Sequence, residues 1–367
     1  MQHTNSFQWN TTSLKNNTMQ PQSGPTLLEW NIRVSIDVLI SITSFVGNSL
    51  VLFVIYTRKK YQRTPFEILV ANLSITDLLS ISIYLTFSYF LKTTSNFTCK
   101  FGTSFYTCLL MLSMYLMTAI AMFRCRSILY PFKRRPSIKF TYCVTAGLWI
   151  FANAFISPVY VVTIWDRNTG SCIEIWPSQI YNRVYTISLF VVQYVIPLTI
   201  ITASYIKIVS YLKQHKPPQI DCNKNHSLML KRRRDIEVIK TSATIVTLYT
   251  VLTLPGQIAW ISGVVFQNYE ISMLILKFST HLQLLHNCCN PFVYGTISRE
   301  FRSQLTKAAC DIINWIFRRN SVRTVAVHRE QGYMNKSLEE LEINDVILTS
   351  VQSKRSKQDD NPTHKAN

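Results

Sequence analysis

Long apolar runs alternate with short polar ones along this chain, and the lengths of the runs set the first expectation. Seven apolar blocks, Ile32–Tyr56, Phe66–Phe90, Thr103–Leu129, Phe140–Thr163, Val184–Tyr211, Val238–Phe266 and Ser272–Ile297, each approach or exceed the ~20 residues that a helix needs to cross a bilayer. The expected fold is an all-α membrane protein, a seven-transmembrane helix bundle over 31–297. An extracellular tail precedes it over 1–30. A short amphipathic eighth helix follows over 298–317, then a disordered cytoplasmic tail over 318–367. The block ending at Leu129 is the reference for the rest, with Cys99 just before it and Arg124 near its foot.

Composition supports a membrane protein: 48% of residues are hydrophobic and only 16% charged. The net charge of +19 would suggest nucleic acid for a soluble chain, but its distribution excludes that partner. If the blocks alternate across the bilayer, about thirty of the basic residues fall on one face, in Arg58-Lys59-Lys60, Lys133-Arg134-Arg135, Lys231 to Arg234 and the tail, which marks that face as cytoplasmic. The amino terminus is then outside and the carboxyl terminus inside. Met1–Leu28 is polar and has no apolar core of a cleaved leader, so the first span is expected to direct its own insertion. The sequons at Asn10, Asn16 and Asn96 fall on the outer side and are expected to be glycosylated, whereas Asn225-His226-Ser227 falls inside and is expected to stay bare.

The same topology sorts the nine cysteines. Cys99 and Cys172 alone lie in outer loops, which makes them the expected disulfide. Cys108, Cys143, Cys288 and Cys289 are expected to be buried packing residues. Cys310 follows the amphipathic run Arg299–Ala309 and is a palmitoylation candidate, a reduced thiol being the alternative. Polar side chains within the blocks are costly in lipid and therefore stand out: Asn48, Asp77, Ser113 and the string from His286 to Asn290. Pro158, Pro197 and Pro255 lie inside blocks and free backbone carbonyls that neighbours must satisfy.

The ordered set Gly47-Asn48, Asn72-Leu73-x-x-x-Asp77, Cys99 with Arg124 twenty-five residues on, Trp149, Cys172, Pro197, Tyr205, Pro255 and Asn290-Pro291-x-x-Tyr294 resembles the rhodopsin-like (class A) G-protein-coupled receptors, from Ile32 to Cys310. The string Cys172-Ile173-Glu174-Ile175-Trp176-Pro177 is similar to the Cys-x-Glu-x-Trp-Pro of many peptide receptors in that family. The resemblance implies a plasma-membrane receptor that couples an extracellular peptide, a neuropeptide or peptide hormone, to a heterotrimeric G protein. It implies no cofactor, but a sodium ion as a possible allosteric ligand held by Asp77, Ser113 and Asn290, with Asn48 as a bridging amide. His286 and Asn287 stand where smaller polar groups are usual. The alternative for Asp77 is a protonated carboxyl in a water network.

Arg124 matches the family's switch arginine, with Asp235, Tyr205 and Tyr294 as its implied companions. The usual acid before that arginine is Phe123 here, which implies raised basal signalling; the alternative is that Phe123 packs without consequence. In the sixth block the usual tryptophan before the proline is Thr253, and Tyr249 stands at the usual Phe position. Tyr106 replaces the aspartate of amine receptors and Leu284 the retinal lysine, which excludes those two ligands. By depth and spacing the ligand-pocket candidates are Tyr89, Tyr106, Leu110, Gln193, Gln257, Trp260, Lys277 and His281, with Asp37 and Glu174 at the rim. Their aromatic and amide character suits a peptide with aromatic or amidated ends. Ser/Thr residues of the tail are expected phosphorylation sites for an arrestin. An enzyme is excluded by the lack of any catalytic set on accessible segments. The second reading is a heptahelical scavenger or scaffold that binds ligand without productive coupling. A transporter would need paired repeats, and none is present.

Overall fold

The computed structural model describes residues 26–57, 64–90, 95–133, 136–167, 171–215 and 226–297, with isolated positions between 302 and 310. The chain divides into two compact units, Met1–Leu305 and Thr306–Asn367. In the first, the described residues form seven long helices: α1 Leu27–Thr57, α2 Pro65–Leu85 extended by a π-helical turn Thr86–Phe90, α3 Asn96–Leu129, α4 Ile138–Val162, α5 Gln179–Gln214, α6 His226–Val264 and α7 Tyr269–Ile297. In the second, Thr306, Lys307 and Cys310 are described; all are helical and exposed. The apolar face expected of an eighth helix, Phe301, Leu305, Ala308 and Ala309, lies outside the described residues, as do the sequons at Asn10, Asn16 and Asn225.

Local chemistry explains where the helices begin. Thr64 caps α2, its hydroxyl accepting from the Glu67 N–H while Glu67 reaches back to the Thr64 N–H, with Pro65 at the first helical position. Ser95, Ser137 and Ser178 cap α3, α4 and α5 by accepting from the N–H three residues on. Asn96 is the first residue of α3 rather than part of the loop before it, and its Oδ1 accepts from the Trp165 N–H at 2.8 Å.

α3 runs through the middle of the bundle. Its residues from Cys108 to Met114 are all buried, two full turns with no exposed side, which requires protein on every face. Outer helices show the reverse of a soluble protein: Phe45, Phe53, Ile150, Ile206, Val251 and Phe292 are exposed while Asn48, Asp77, Ser113 and Asn290 are buried. Large exposed apolar belts around a polar interior belong in hydrocarbon. Cys108 and Cys288 are buried as expected, but Cys143 is on the exposed face of α4 and Cys289 is only part-buried, because neither falls on its helix's inward stripe.

Six of the described helices are long and apolar enough to cross a membrane. α7 falls short on composition, since its buried face carries Ser279, His286, Asn287 and Asn290. α7 packs between α1 and α6, so those groups meet protein and not lipid.

Two prolines create acceptors for interhelical hydrogen bonds. Pro197 has no N–H, and the turn before it, Val191–Val195, widens to π-helix. In that register the carbonyl left without a donor is that of Val192, and the Tyr115 hydroxyl on α3 donates to it at 2.9 Å. Pro291 likewise leaves the Asn287 carbonyl without its helical donor. Asn48 Nδ2 and Ser44 Oγ on α1 donate to it at 2.9 and 3.1 Å. Gly47 makes that clasp possible, because a Cβ there would lie 2.6 Å from Pro291 Cγ.

Between α4 and α5 the chain forms an antiparallel hairpin, β1 Thr163–Asp166 with β2 Ser171–Glu174, pairing Trp165 with Cys172 and Thr163 with Glu174. The seven-helix expectation did not include it. The expected disulfide is present: Cys172 of β2 is bonded to Cys99 near the start of α3, with Cα atoms 5.5 Å apart.

Candidate functional site

A cavity of about 150 Å³ opens in the half of the bundle that carries the hairpin, walled by α2 to α7 and by β2. Six of the expected pocket residues line it: Tyr106, Leu110, Glu174, Gln193, Gln257 and Trp260. Gln193 sits in the π-helical turn of α5 and is buried. Tyr106 has a buried hydroxyl with no hydrogen-bond partner among the described residues. The Lys277 side chain lies outside the described residues.

Tyr89 and His281 correct the expectation, because neither lines the cavity. Both are drawn to Asp37, which is buried on α1. Tyr89 donates to Asp37 Oδ2 at 2.6 Å and Tyr84 to the same oxygen at 2.9 Å, while His281 Nδ1 lies 2.6 Å from Asp37 Oδ1. One carboxylate on α1 thus gathers α2 and α7, and charge-assisted bonds of this kind are the stronger ones. Asp37 is not a rim residue waiting for ligand. It holds Tyr84, which does line the cavity.

The hairpin positions Glu174 in the cavity wall. Its Oε2 accepts from Trp176 Nε1 at 2.8 Å, and the Trp176 ring packs on Tyr185 of α5 at 4.9 Å. The fixed positions of the Cys-x-Glu-x-Trp-Pro string therefore divide the work of building this wall. Cys172 anchors the strand, Glu174 faces the cavity, and Trp176 seats both on α5. Burial pushes the Glu174 carboxyl up to about 7, the Trp176 hydrogen bond offsetting part of the shift.

Below the cavity, Tyr249 on α6 reaches the Leu110 carbonyl at 3.5 Å and meets the His286 ring edge-on at 4.5 Å. Leu110 lines the cavity, so Tyr249 connects its floor to α7. Thr253 does not fill the space of a tryptophan; its hydroxyl folds back onto its own helix, donating to the Tyr249 carbonyl at 2.8 Å.

Deeper still, Asn290 Nδ2 donates to Asp77 Oδ2 at 2.6 Å. Asp77 Oδ1, Asn290 Oδ1, Ser113 Oγ and Ser74 Oγ are buried with no hydrogen-bond partner among the described residues. These are hard oxygen donors, one of them a carboxylate, and they fit a hard cation or water. Asn48 Nδ2 is bonded to α7 at the Asn287 carbonyl, while its Oδ1 is buried with no hydrogen-bond partner among the described residues. Among the described residues no group of three His, Cys, Asp or Glu is placed to hold a metal ion.

At the opposite end of the bundle from the hairpin, the Arg124 guanidinium lies over the Phe66 ring, 3.5 Å from its centroid. Phe123 stacks on Phe140 of α4 with centroids 6.3 Å apart. Tyr205 and Ser242 line a small gap between α3, α5 and α6. The side chains of Asp235 and Tyr294 lie outside the described residues.

Sequence reasoning passed over Tyr84, Gln283 and Phe66. Gln283 carries a signal, since 283, 287 and 290 fall at i, i+4 and i+7 and place it on the inward face with Asn287 and Asn290. Tyr84 and Phe66 carry none, because a lone aromatic residue in an apolar block resembles packing.

Residues 47–294 match the model of the 7 transmembrane receptor (rhodopsin family). The chain is similar to the RYamide receptor of Drosophila melanogaster, 25% identical over 283 residues, covering 72% of this chain and 60% of that receptor, which is less than two thirds of its length. It is 24% identical over 299 residues to the pyroglutamylated RF-amide peptide receptor of Mus musculus, covering 74% of this chain and 68% of that one. With the substance-P receptor of Aquarana catesbeiana it shares 26% identity over 292 residues, 74% of this chain and 68% of the relative.

Proposed function

Because the chain belongs to the rhodopsin family of seven-transmembrane receptors, a family of multi-pass plasma-membrane proteins and not enzymes, we propose that it is a neuropeptide receptor that activates a heterotrimeric G protein. Its relatives named for peptides support the ligand class. The observation that carries the reading is the cavity itself, open at the hairpin end and joined through Leu110 and Tyr249 to the packed interior.

In this reading the amino terminus and hairpin face outward and the basic loops face the cytoplasm, as the charge distribution supports. A peptide end enters between α2 and α7 and displaces water from the cavity. Movement at Leu110 passes to Tyr249, and from there to α6 on one side and to His286 of α7 on the other. Tyr249 takes over the relay that a tryptophan at 253 gives other family members. At the cytoplasmic end Arg124, resting on Phe66, turns toward the G protein as α6 moves outward, with Asp235, Tyr205 and Tyr294 as its companions. Because Phe123 gives Arg124 no neighbouring acid, basal signalling is raised. Phosphorylated Ser/Thr in the tail recruit an arrestin, Cys310 takes a palmitoyl chain, and glycans occupy Asn10, Asn16 and Asn96.

The buried oxygens of Asp77, Ser113, Ser74 and Asn290 support a sodium ion beside Asp77, which when bound supplies a positive charge that favours the resting shape. A monovalent cation or a proton accompanies the Asp77 carboxyl in this reading, since an unpaired carboxylate in the bundle costs several kcal/mol.

Nucleotide exchange on a panel of G proteins, in membranes bearing the full chain and exposed to a neuropeptide library, tests the function. Peptide-stimulated exchange is expected. Saturable peptide binding with no exchange on any G protein overturns the coupling.

A further inference from the structure

We propose that Asp37 and His281 form a binding site for an extracellular proton, a latch between α1 and α7 that tightens on acidification and steadies the wall of the cavity. The site stands on the geometry of this cluster alone; its effect on peptide potency rests on the receptor reading.

Asp37 has 2% of its side chain exposed, and its two oxygens are divided among three partners. Oδ2 accepts from both the Tyr84 and the Tyr89 hydroxyls, and Trp30 lies edge-on to Tyr89 with ring centroids 6.1 Å apart. A carboxyl that accepts two hydroxyls on one oxygen and meets a ring nitrogen at 2.6 Å on the other acts as a carboxylate, so His281 Nδ1 carries a hydrogen and donates. The hydrogen bonds of Asp37 are thereby filled, but its charge is not balanced. Tyrosines bring no positive charge, and among the described residues His281 is the one group able to carry one within ion-pair distance.

A buried carboxylate without a counter-charge is costly. His281 supplies that charge only when its second nitrogen, Nε2, takes a proton as well. Imidazole is the side chain that ordinarily changes charge between about pH 5 and 8, and this one is 21% exposed at the end of the bundle that the charge distribution turns outward. The proton therefore comes from the extracellular medium.

The neighbouring groups leave this role to His281. On α1, Arg33 lies one turn from Asp37 and acts on Tyr89 through its charge, without an ion pair to Asp37 among the described residues. α2 and its π-helical turn bring Tyr84 and Tyr89, and α3 brings Tyr106, which senses the Asp37 charge. α6 lines the cavity with Gly256, Gln257 and Trp260, none of which titrates. On α7 itself Glu270 is exposed about three turns away, and the Lys277 side chain lies outside the described residues. Glu174 of β2 shares the cavity wall with Tyr84 and is raised to about 7, so a test must neutralise it first.

An imidazolium makes a charge-assisted bond to a carboxylate, and a neutral ring makes a weaker one. In acid the pair draws α7 onto α1 and fixes Asp37, which holds Tyr84 at the cavity. As the outer pH rises the counter-charge is lost and Tyr84 loosens. Acidification is thus a second input, one that raises sensitivity to peptide.

Two measurements test this, both in a Glu174→Gln background. In the first, the full chain is solubilised in detergent and its unfolding temperature is followed from about pH 5.5 to about pH 8. Stability from the ion pair is present in acid and lost as pH rises. The background protein is therefore expected to lose about 2 °C or more relative to the same protein carrying His281→Asn, whose amide offers a donor near the Nδ1 position but does not titrate. Asp37→Asn keeps an acceptor for the tyrosines and removes the charge, and is expected to behave as His281→Asn does. The other histidines are common to all three proteins and cancel in the difference. Parallel curves for all three overturn the site.

In the second, intact cells hold the inner pH constant while the outer pH is varied, the probe is a neuropeptide library, and the readout is G-protein activation. Potency is expected to fall about fivefold from acid to alkaline medium, the step between a charge-assisted and a neutral hydrogen bond, and to stay level in both variants. A fall of equal size in both variants overturns the coupling to the cavity. A thermal difference with no activation by any peptide keeps the proton site and overturns the receptor reading.

Discussion

His281 Nδ1 lies 2.6 Å from Asp37 Oδ1, so two residues 244 positions apart in sequence close the hairpin end of the bundle by joining α7 to α1. Tyr84 and Tyr89 hold the second carboxylate oxygen.

Removing that carboxylate leaves three polar groups without their acceptor. Asp37→Ala is expected to cost about 2 kcal/mol or more of stability, read as a lower unfolding temperature of the detergent-solubilised receptor. Because Tyr84 lines the cavity, peptide potency should fall as well. Unaltered stability and potency would show that the cluster is incidental.

Glu174 gives a pH dependence with a definite sign. Its carboxyl is raised from 4.5 to about 7, mainly by burial, so between those values the folded receptor keeps a proton that the unfolded chain has lost. The resulting cost is absent below pH 4.5, grows as pH rises and is complete above 7. Glu174→Gln, neutral throughout and still able to accept from Trp176, is therefore expected to unfold at a higher temperature than the parent at pH 8. The two should converge toward pH 5. A gap that widens on acidification would refute the assignment.

Gly47 is a position where one methyl group decides the packing. A Cβ there meets the Pro291 ring at 2.6 Å, and a proline ring on a helix backbone has little freedom to yield. Gly47→Ala is expected to cost about 1–3 kcal/mol and to loosen the bond from Asn48 to the Asn287 carbonyl. Thermal unfolding measures the first effect and surface expression reports the second.

At the cytoplasmic end, the ring of Phe66 restrains Arg124. Phe66→Leu is expected to raise basal nucleotide exchange about two- to fivefold, the range that a lost cation–π contact allows. Phe123→Asp, which restores an acid beside the arginine, is expected to lower it. Identical basal exchange in parent and both variants would remove Arg124 from the switch.

Sodium should lower agonist affinity by about fivefold or more relative to choline at equal ionic strength, and Asp77→Asn should abolish the difference. Radioligand competition in the two salts is sufficient. A sodium effect that survives in Asp77→Asn would exclude this carboxylate as its origin.

The sequence revealed the helices and the deep polar groups because both break a simple pattern. Seven long apolar runs have few other uses, and Asp77 or Asn290 inside such a run is conspicuous. The disulfide followed from topology. Other features depend on three-dimensional proximity that no spacing records. Tyr89 and His281 have the depth of pocket residues, yet Asp37 draws both away; the carboxylate is visible in the first block, but its partners on α2 and α7 are not. Asn48 was expected as a bridging amide near Asp77; that its Nδ2 meets the Asn287 carbonyl, which Pro291 leaves without a helical donor, is likewise not announced by any spacing. The hairpin was missed because four-residue strands flanked by long helices leave almost no periodic signal.

The polarity of α7 bears on how the protein is made. A helix carrying His286, Asn287 and Asn290 partitions poorly from the translocon on its own, so it must dock on earlier spans as it emerges. Assembly thus depends on the last span: a product truncated before residue 269 is expected to lack the groups with which α7 meets the Asn48 amide and one oxygen of Asp37.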